Sequence, residues 1–362
     1  MRYVDDFRNA DHVRALAARI NENAEELDAP VRFMEVCGGH TMAIHRFGLP
    51  DLLPSSVELI SGPGCPVCVT STAYIDTAIE LAERGDLIAT FGDLYRVPGR
   101  EKTLEATAAA GADVQVVYSP RDALTLAKEH PDRQVTFLGV GFETTVPTVA
   151  ATVLEADSSG INNLRFLSGH KTMPEALRAL VEAPEVALDG FLLPGHVSTI
   201  TGRDIYRFLT EEFNVPCCIS GFEPTDMLQA IESLVEQCVR GEAEVDNKYG
   251  RAVRPEGNQR AQGIINSVFE PVDARWRGIG PIPGSGLDLR DKWESRRVER
   301  PNPSVGSPEF GACRCGDVLR GLINPPDCPL FGKRCTPENP VGPCMVSSEG
   351  SCAAHYKYGS TR

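Results

Sequence analysis

The sequence predicts an α/β protein made of two similar parallel-sheet, Rossmann-like domains followed by a small cysteine-rich module. Three observations carry this expectation. From residue 31 to about 265, short apolar or β-branched runs alternate with glycine loops and amphipathic helical stretches, the pattern of parallel strands covered by helices on both faces. Two short echoes, GFETT at 141–145 against GFEPT at 221–225 and SGHKT at 168–172 against PGHVST at 194–199, are what a duplicated α/β unit would leave. Near residue 265 the alternation stops, and Pro/Gly-rich connections at 278–286 and 300–308 lead into six cysteines within the last 50 residues.

Taken in order, the strand-loop-helix units begin with VRFMEVCGGHTMAIHRF at 31–47 and VELISGPGCPVCVTSTAYIDTAIELAERG at 57–85. They continue through DLIATFGD, ADVQVVYSPRDALTLAKEH, QVTFLGVGFETTVPTVAATVLEA, LRFLSGHKTMPEALRALVEA, LDGFLLPGHVSTITGRDIYRFL and VPCCISGFEPTDMLQAIESLVEQC. The expected division is 56–168 for one α/β domain, 21–55 with 169–265 for the other, and 266–362, with or without 1–20, for the third module.

Composition excludes several classes of function. A formal charge of −14 and a pI near 5.1, with no basic block to offset them, would repel a nucleic-acid backbone. No stretch approaches 18 apolar residues, and the charged N-terminal segment has no apolar core, so a cytoplasmic protein with no membrane partner is expected. The 12 cysteines are too many to be incidental, yet too sparse for a disulfide scaffold. Cys217, Cys218 and Cys238 lie in apolar runs and are expected to pack as small hydrophobes.

In open parallel sheets the loops after the strands gather along one edge, so motifs distant in sequence can meet there. Cys37 and His40 in CGGHT, Cys65 and Cys68 in GPGCPVC, Glu143 in GFETT, His170, His196 and Glu223 all fall in such loops and are expected to face one crevice. A Cys-Pro-Val-Cys before a helix start can be a redox couple, half of a zinc site completed by Cys37 and His40, or two inert thiols, and the helix near Ser71 would lower its thiol pKa. Gly38 and Gly39 leave the backbone bare beside Cys37, whose sulfur would suit a soft metal ion. His40 is a ligand or a helix cap. Glu143 is a proton acceptor or a cap, and Glu223, followed by Pro224, a cap.

The six C-terminal cysteines, Cys313, Cys315, Cys328, Cys335, Cys344 and Cys352, stand among Gly and Pro with few large apolar residues, so a covalent or metal staple must hold the segment. Four thiolates on an iron-sulfur cluster with two cysteines left over fit the count. Zinc is the alternative, although the successive gaps of 13, 7, 9 and 8 residues from Cys315 onward lack repeated C-x-x-C knuckles.

Together, CGGHT, SGPGCPVCVT, GFETTVP, PGHVS and CRCGDVLRG…PDCPLFGKRCTPENPVGPCMVSSEGSCAA resemble, in this order from about residue 30 to the C-terminus, the HypD family of hydrogenase maturation factors. Val146 departs from the family's more usual alanine. The resemblance implies an assembly scaffold rather than a turnover enzyme. On it, with HypC, the Fe(CN)2CO group of [NiFe]-hydrogenases is built, with cyanide delivered by HypE acting with HypF, before transfer to the hydrogenase large subunit. By the same resemblance Cys37 binds the iron together with a cysteine of HypC, Cys65 and Cys68 form a redox couple, and the C-terminal domain holds a [4Fe-4S] cluster. The alternatives are a thioredoxin-type thiol oxidoreductase and a zinc-stabilised binding module. Within the cluster domain, Cys328 and Cys335 stand alone, and Cys313 and Cys315, two apart on an extended segment, should point to opposite faces. The expected ligands are therefore Cys313, Cys328, Cys335 and Cys352, with Cys315 and Cys344 as a possible second thiol pair.

Overall fold

The computed structural model describes residues 6–302 and 312–359. Two parallel sheets form the frame. The first contains β1 (Val31–Glu35), β2 (Val57–Ser61), β7 (Gly190–Pro194), β8 (Cys217–Ser220) and β9 (Val245–Asn247) in the order β2-β1-β7-β8-β9. The second contains β3 (Leu87–Thr90), β4 (Val114–Val116), β5 (Val135–Gly139) and β6 (Leu164–Ser168) in the order β4-β3-β5-β6. Every pairing within them is parallel. The central strands VTFLG and GFLLP are buried at every residue, which is why they read as continuous apolar runs rather than alternating ones.

Helix starts are fixed locally. Ser71 accepts the Tyr74 N–H at the head of the helix Thr72–Glu83, and Ser119 with Asp122 forms a capping box before Pro120–Glu129. The chain crosses between the sheets twice, from β2 into the helix Thr72–Glu83, whose Ile75 and Ile79 pack with Ile88 and Leu138, and from β6 into the helix Met173–Glu182, whose Leu177 and Leu180 pack with Phe191 and Leu193.

Two expected boundaries are corrected. Residues 57–61, placed with the domain starting at 56, pair with β1 in the other sheet, because β2 is the edge neighbour that buries Ile60 beside Met34. The option of joining residues 1–20 to the third module also fails for the described part of that segment. Leu16, Ile20 and Ala24 form one stripe of the helix Ala10–Ala24 and bury it against Met227, Ile231 and Leu234 of the helix Pro224–Arg240.

After the second sheet, β10 (Phe269–Trp276) and β11 (Gly280–Leu289) form an antiparallel hairpin. Its Trp276, fully buried, joins Ile60, Cys65, Cys68, Phe142, Cys315 and Cys344 in one apolar core. The cysteine-rich module is thus packed into the seam between the two sheets. Among the described residues no helix is long and apolar enough to cross a membrane.

Candidate functional site

The strand β1 delivers Cys37 to the seam as the residue before the helix Gly38–Arg46. The next crossover runs directly beside it. Gly38 N–H donates to the Gly64 carbonyl at 3.0 Å, and a Cβ on Gly64 would lie 2.1 Å from the Cys37 nitrogen. Only glycine permits that approach. One residue further on, Cys65 and Cys68 are joined as a disulfide with Cα atoms 5.2 Å apart.

Behind Cys37, Glu35 is buried. Its carboxylate group accepts the Cys37 N–H at 3.2 Å and the Thr41 hydroxyl, yet burial dominates and pushes its pKa up to about 8. Burial likewise pushes the Cys37 thiol up to about 12, with Glu349 and Glu35 adding to the effect and backbone N–H groups of His40 and Gly39 opposing it. The sulfur is therefore a thiol until a cation replaces its proton. Glu349 reaches the site from the cysteine-rich module and lies against the backbone at Gly38, where a Cβ would be 2.6 Å from its own.

His40 does not cap the helix it belongs to. Its Nε2 lies 3.2 Å from the Ser220 carbonyl, its ring packs on Phe222 at 4.8 Å, and Cys65 and Cys68 are bonded to each other. Burial lowers the His40 pKa to about 4, so the ring is neutral, donates from Nε2, and leaves Nδ1 buried with no hydrogen-bond partner among the described residues. His196, partly exposed, stacks on the other side of Phe222 at 3.9 Å.

Glu143 is a cap, but of a different helix from the one it precedes. Its Oε1 accepts the Met173 N–H at 2.9 Å, at the start of Met173–Glu182, while Oε2 has no partner among the described residues, and burial raises its pKa to about 7. Burial pushes the phenol of Tyr206 up, and Glu143 and Cys37 are near enough to add to the effect. Glu223 caps its own helix with Asp226, as expected. His170 points elsewhere: its Nδ1 is 3.1 Å from Ser168 Oγ and its ring meets Phe269 edge-on, beneath the hairpin.

All six C-terminal cysteines line one cavity. Cys315 and Cys344 have their sulfurs 2.7 Å apart. The expectation that Cys313 and Cys315 point to opposite faces is corrected, since a short helix begins at Cys315 and turns both side chains into the cavity. Cys68 Sγ contacts the Pro343 carbonyl at 3.9 Å, one residue from Cys344. The cavity and the disulfide are therefore neighbours.

Glu35, Tyr206, Phe222 and Glu349 were not anticipated from the sequence. Glu35 alone had a local signal, a carboxylate inside the apolar run RFMEVC. The other three are brought in by chain crossings that no spacing reveals.

Residues 11–359 match the family described as HypD, hydrogenase formation. The chain is 46% identical over 367 residues to the hydrogenase maturation factor HypD of Escherichia coli K12, covering 99% of this chain and 98% of that protein. It is 46% identical over 374 residues to the hydrogenase expression/formation protein HupD of Azotobacter chroococcum, covering 100% and 98%. With HypD of Cupriavidus necator the identity is 44% over 373 residues, covering 99% and 97%.

Proposed function

The chain belongs to the HypD family and serves in hydrogenase maturation, and from that premise we propose that it is the scaffold on which the Fe(CN)2CO group is assembled. It would act in complex with HypC, receive cyanide through HypE with HypF upstream, and pass the iron on to the [NiFe]-hydrogenase large subunit. The observation that carries this reading is the contact of Gly64 with Cys37, which sets the Cys65–Cys68 disulfide one residue from the proposed iron-binding thiol.

In this reading Cys37 and a HypC thiol hold the iron, which is cargo. Capture displaces the Cys37 proton, because burial keeps that sulfur protonated in the free protein. The neutral His40, whose Nδ1 has no partner among the described residues, supplies an acceptor in the same loop. Reduction of the Cys65–Cys68 disulfide consumes two electrons and two protons and yields two thiols, and reoxidation returns both.

The donor set of the six-cysteine cavity, soft sulfurs enclosed by Val318, Leu330 and Phe331, fits an iron-sulfur cluster. Cys313, Cys328, Cys335 and Cys352 would hold a [4Fe-4S] cluster, which when bound supplies single electrons. Cys315 and Cys344 would remain as the second thiol pair, between that cavity and Cys68. A thioredoxin-type exchange with protein disulfides is disfavoured, because Cys65 is 3% and Cys68 0% exposed.

Anaerobic co-purification of the full chain with HypC, followed by infrared spectroscopy, tests the proposal. Cyanide and CO stretches are expected on the complex. Cys65→Ser and Cys68→Ser should each abolish hydrogenase maturation and keep the cluster absorbance. Maturation at wild-type level by both variants would refute the redox role.

A further inference from the structure

A second polar site lies where the hairpin covers the four-stranded sheet, away from the cysteines. Ser71, Tyr74, Ser168, Lys171, Arg275 and Arg300 line a cavity of about 20 Å³ whose walls, among the described residues, contain three cations and no carboxylate. In a chain of net charge −14, such an arrangement is not a chance sampling of the surface.

Lys171 is the informative residue. It is 4% exposed, its ammonium group has one hydrogen-bond contact, to the Gly169 carbonyl at 3.5 Å, and it stands 5.8 Å over the Trp276 ring. Among the described residues no carboxylate is paired with Lys171, whereas Arg300 has the buried Asp288 as an electrostatic partner. Its backbone is fixed on both sides, Lys171 N–H to the Gly141 carbonyl at 3.0 Å and Thr172 N–H to the Ser285 carbonyl at 2.9 Å. The residue is therefore anchored where the hairpin covers the sheet, with its side chain buried rather than extended to water. A buried ammonium with no counter-charge is costly, and Arg300 and Arg277 add repulsion. Burial and these two cations lower its pKa to about 7, with burial the larger cause.

The surroundings suit an anion. The cavity opens beside Ser71 and Ala73 at the N-terminal end of the 12-residue helix Thr72–Glu83, where the helix dipole favours negative charge. It also lies just past the C-terminal end of β6, the edge of a parallel sheet at which ligands collect. The small volume has no room for a nucleoside, and only a compact ion that displaces water at the cavity mouth would enter.

We propose that Lys171, with Arg300 beside it, binds a small oxyanion of the carboxylate or phosphate class, which balances the Lys171 charge and ties the two sheet crossovers to the hairpin. The site draws on residues 71–74, 168–171, 275 and 300, so an anion there would brace the segment that starts three residues after Cys68. The proposal is independent of the iron chemistry and is tested on the purified chain alone.

The full-length protein is titrated with inorganic phosphate and, separately, with acetate at fixed ionic strength and pH 6.5, followed by thermal unfolding and by tryptophan fluorescence, since Trp276 lies under Lys171. A saturable rise in melting temperature with at least one of the two anions is expected, and the stronger of them identifies the tetrahedral or the planar class. Lys171→Met and Arg300→Gln should each weaken the response at least 10-fold. Lys171→Met should unfold, without added anion, no lower than wild type, since it removes an uncompensated charge; Arg300→Gln serves alone if it does not fold. Absence of a saturable response to both anions, or an undiminished response in the folded variants, would overturn the proposal.

Discussion

Gly64→Ala isolates the contact on which the proposed chemistry depends. A Cβ at this position would lie 2.1 Å from the Cys37 nitrogen and 2.4 Å from both the Cys37 Cα and the Val36 carbonyl carbon. Ordinary contact begins at 3.4 Å, so the loop must retreat by about 1.3 Å (3.4 − 2.1), and backbone rather than a flexible side chain is in the way. Overpacking of this kind costs about 1–3 kcal/mol. A misplacement on the order of 1 Å between reacting groups costs about 100-fold in rate. The expected variant folds with reduced stability, retains a titratable Cys65–Cys68 couple, and matures hydrogenase about 100-fold more slowly in cells lacking their own copy. Gly263→Ala is the control: nothing lies within 4 Å of its Cβ, it is inside the helix Gln259–Val268, and it should gain about 1 kcal/mol with unchanged maturation. Wild-type maturation by Gly64→Ala would show that the close approach of the two loops has no functional role.

Cys37→Ala should lose iron from the HypC complex while unfolding within a few degrees of wild type, since it removes a sulfur from a loop next to the helix Gly38–Arg46 rather than a core anchor; Fe(CN)2CO bands at wild-type intensity would refute the ligand assignment. Glu143→Gln should flatten part of the fall in stability with rising pH. The native carboxyl holds its proton up to about pH 7 while the unfolded one releases it near 4.5, so stability is full below 4.5 and is lost as pH rises through 7. Urea denaturation from pH 4.5 to 8 measures the change, with a residual slope expected from Glu35, whose pKa is raised in the same direction. Serine replacement at Cys313 should abolish the cluster's charge-transfer absorbance and at Cys315 should leave it; the reverse pattern would exchange their roles.

The sequence by itself determined the α/β class, the repeated unit and the loops that bear the chemistry, because each rests on short-range physics. Continuous apolar runs such as VTFLG make buried parallel strands, and glycines such as Gly38 and Gly64 mark close backbone approach. The cap at Glu223 was legible because both partners, Glu223 and Asp226, lie within one turn. What only the tertiary structure decided is everything that depends on which strand lies beside which. β2 belongs with β1, where it buries Ile60 against Met34, although the connections on either side of it are of similar length and do not decide between β1 and β3. Glu143 caps a helix some 30 residues away in sequence, and Glu349 reaches Cys37 from the other end of the chain. The protonation state of Cys37 was not legible in the sequence either, because the burial that raises its pKa to about 12 comes from tertiary packing, with Glu349 and Glu35 adding to it. Packing geometry, not residue order, sets desolvation, and desolvation governs the charge at this site.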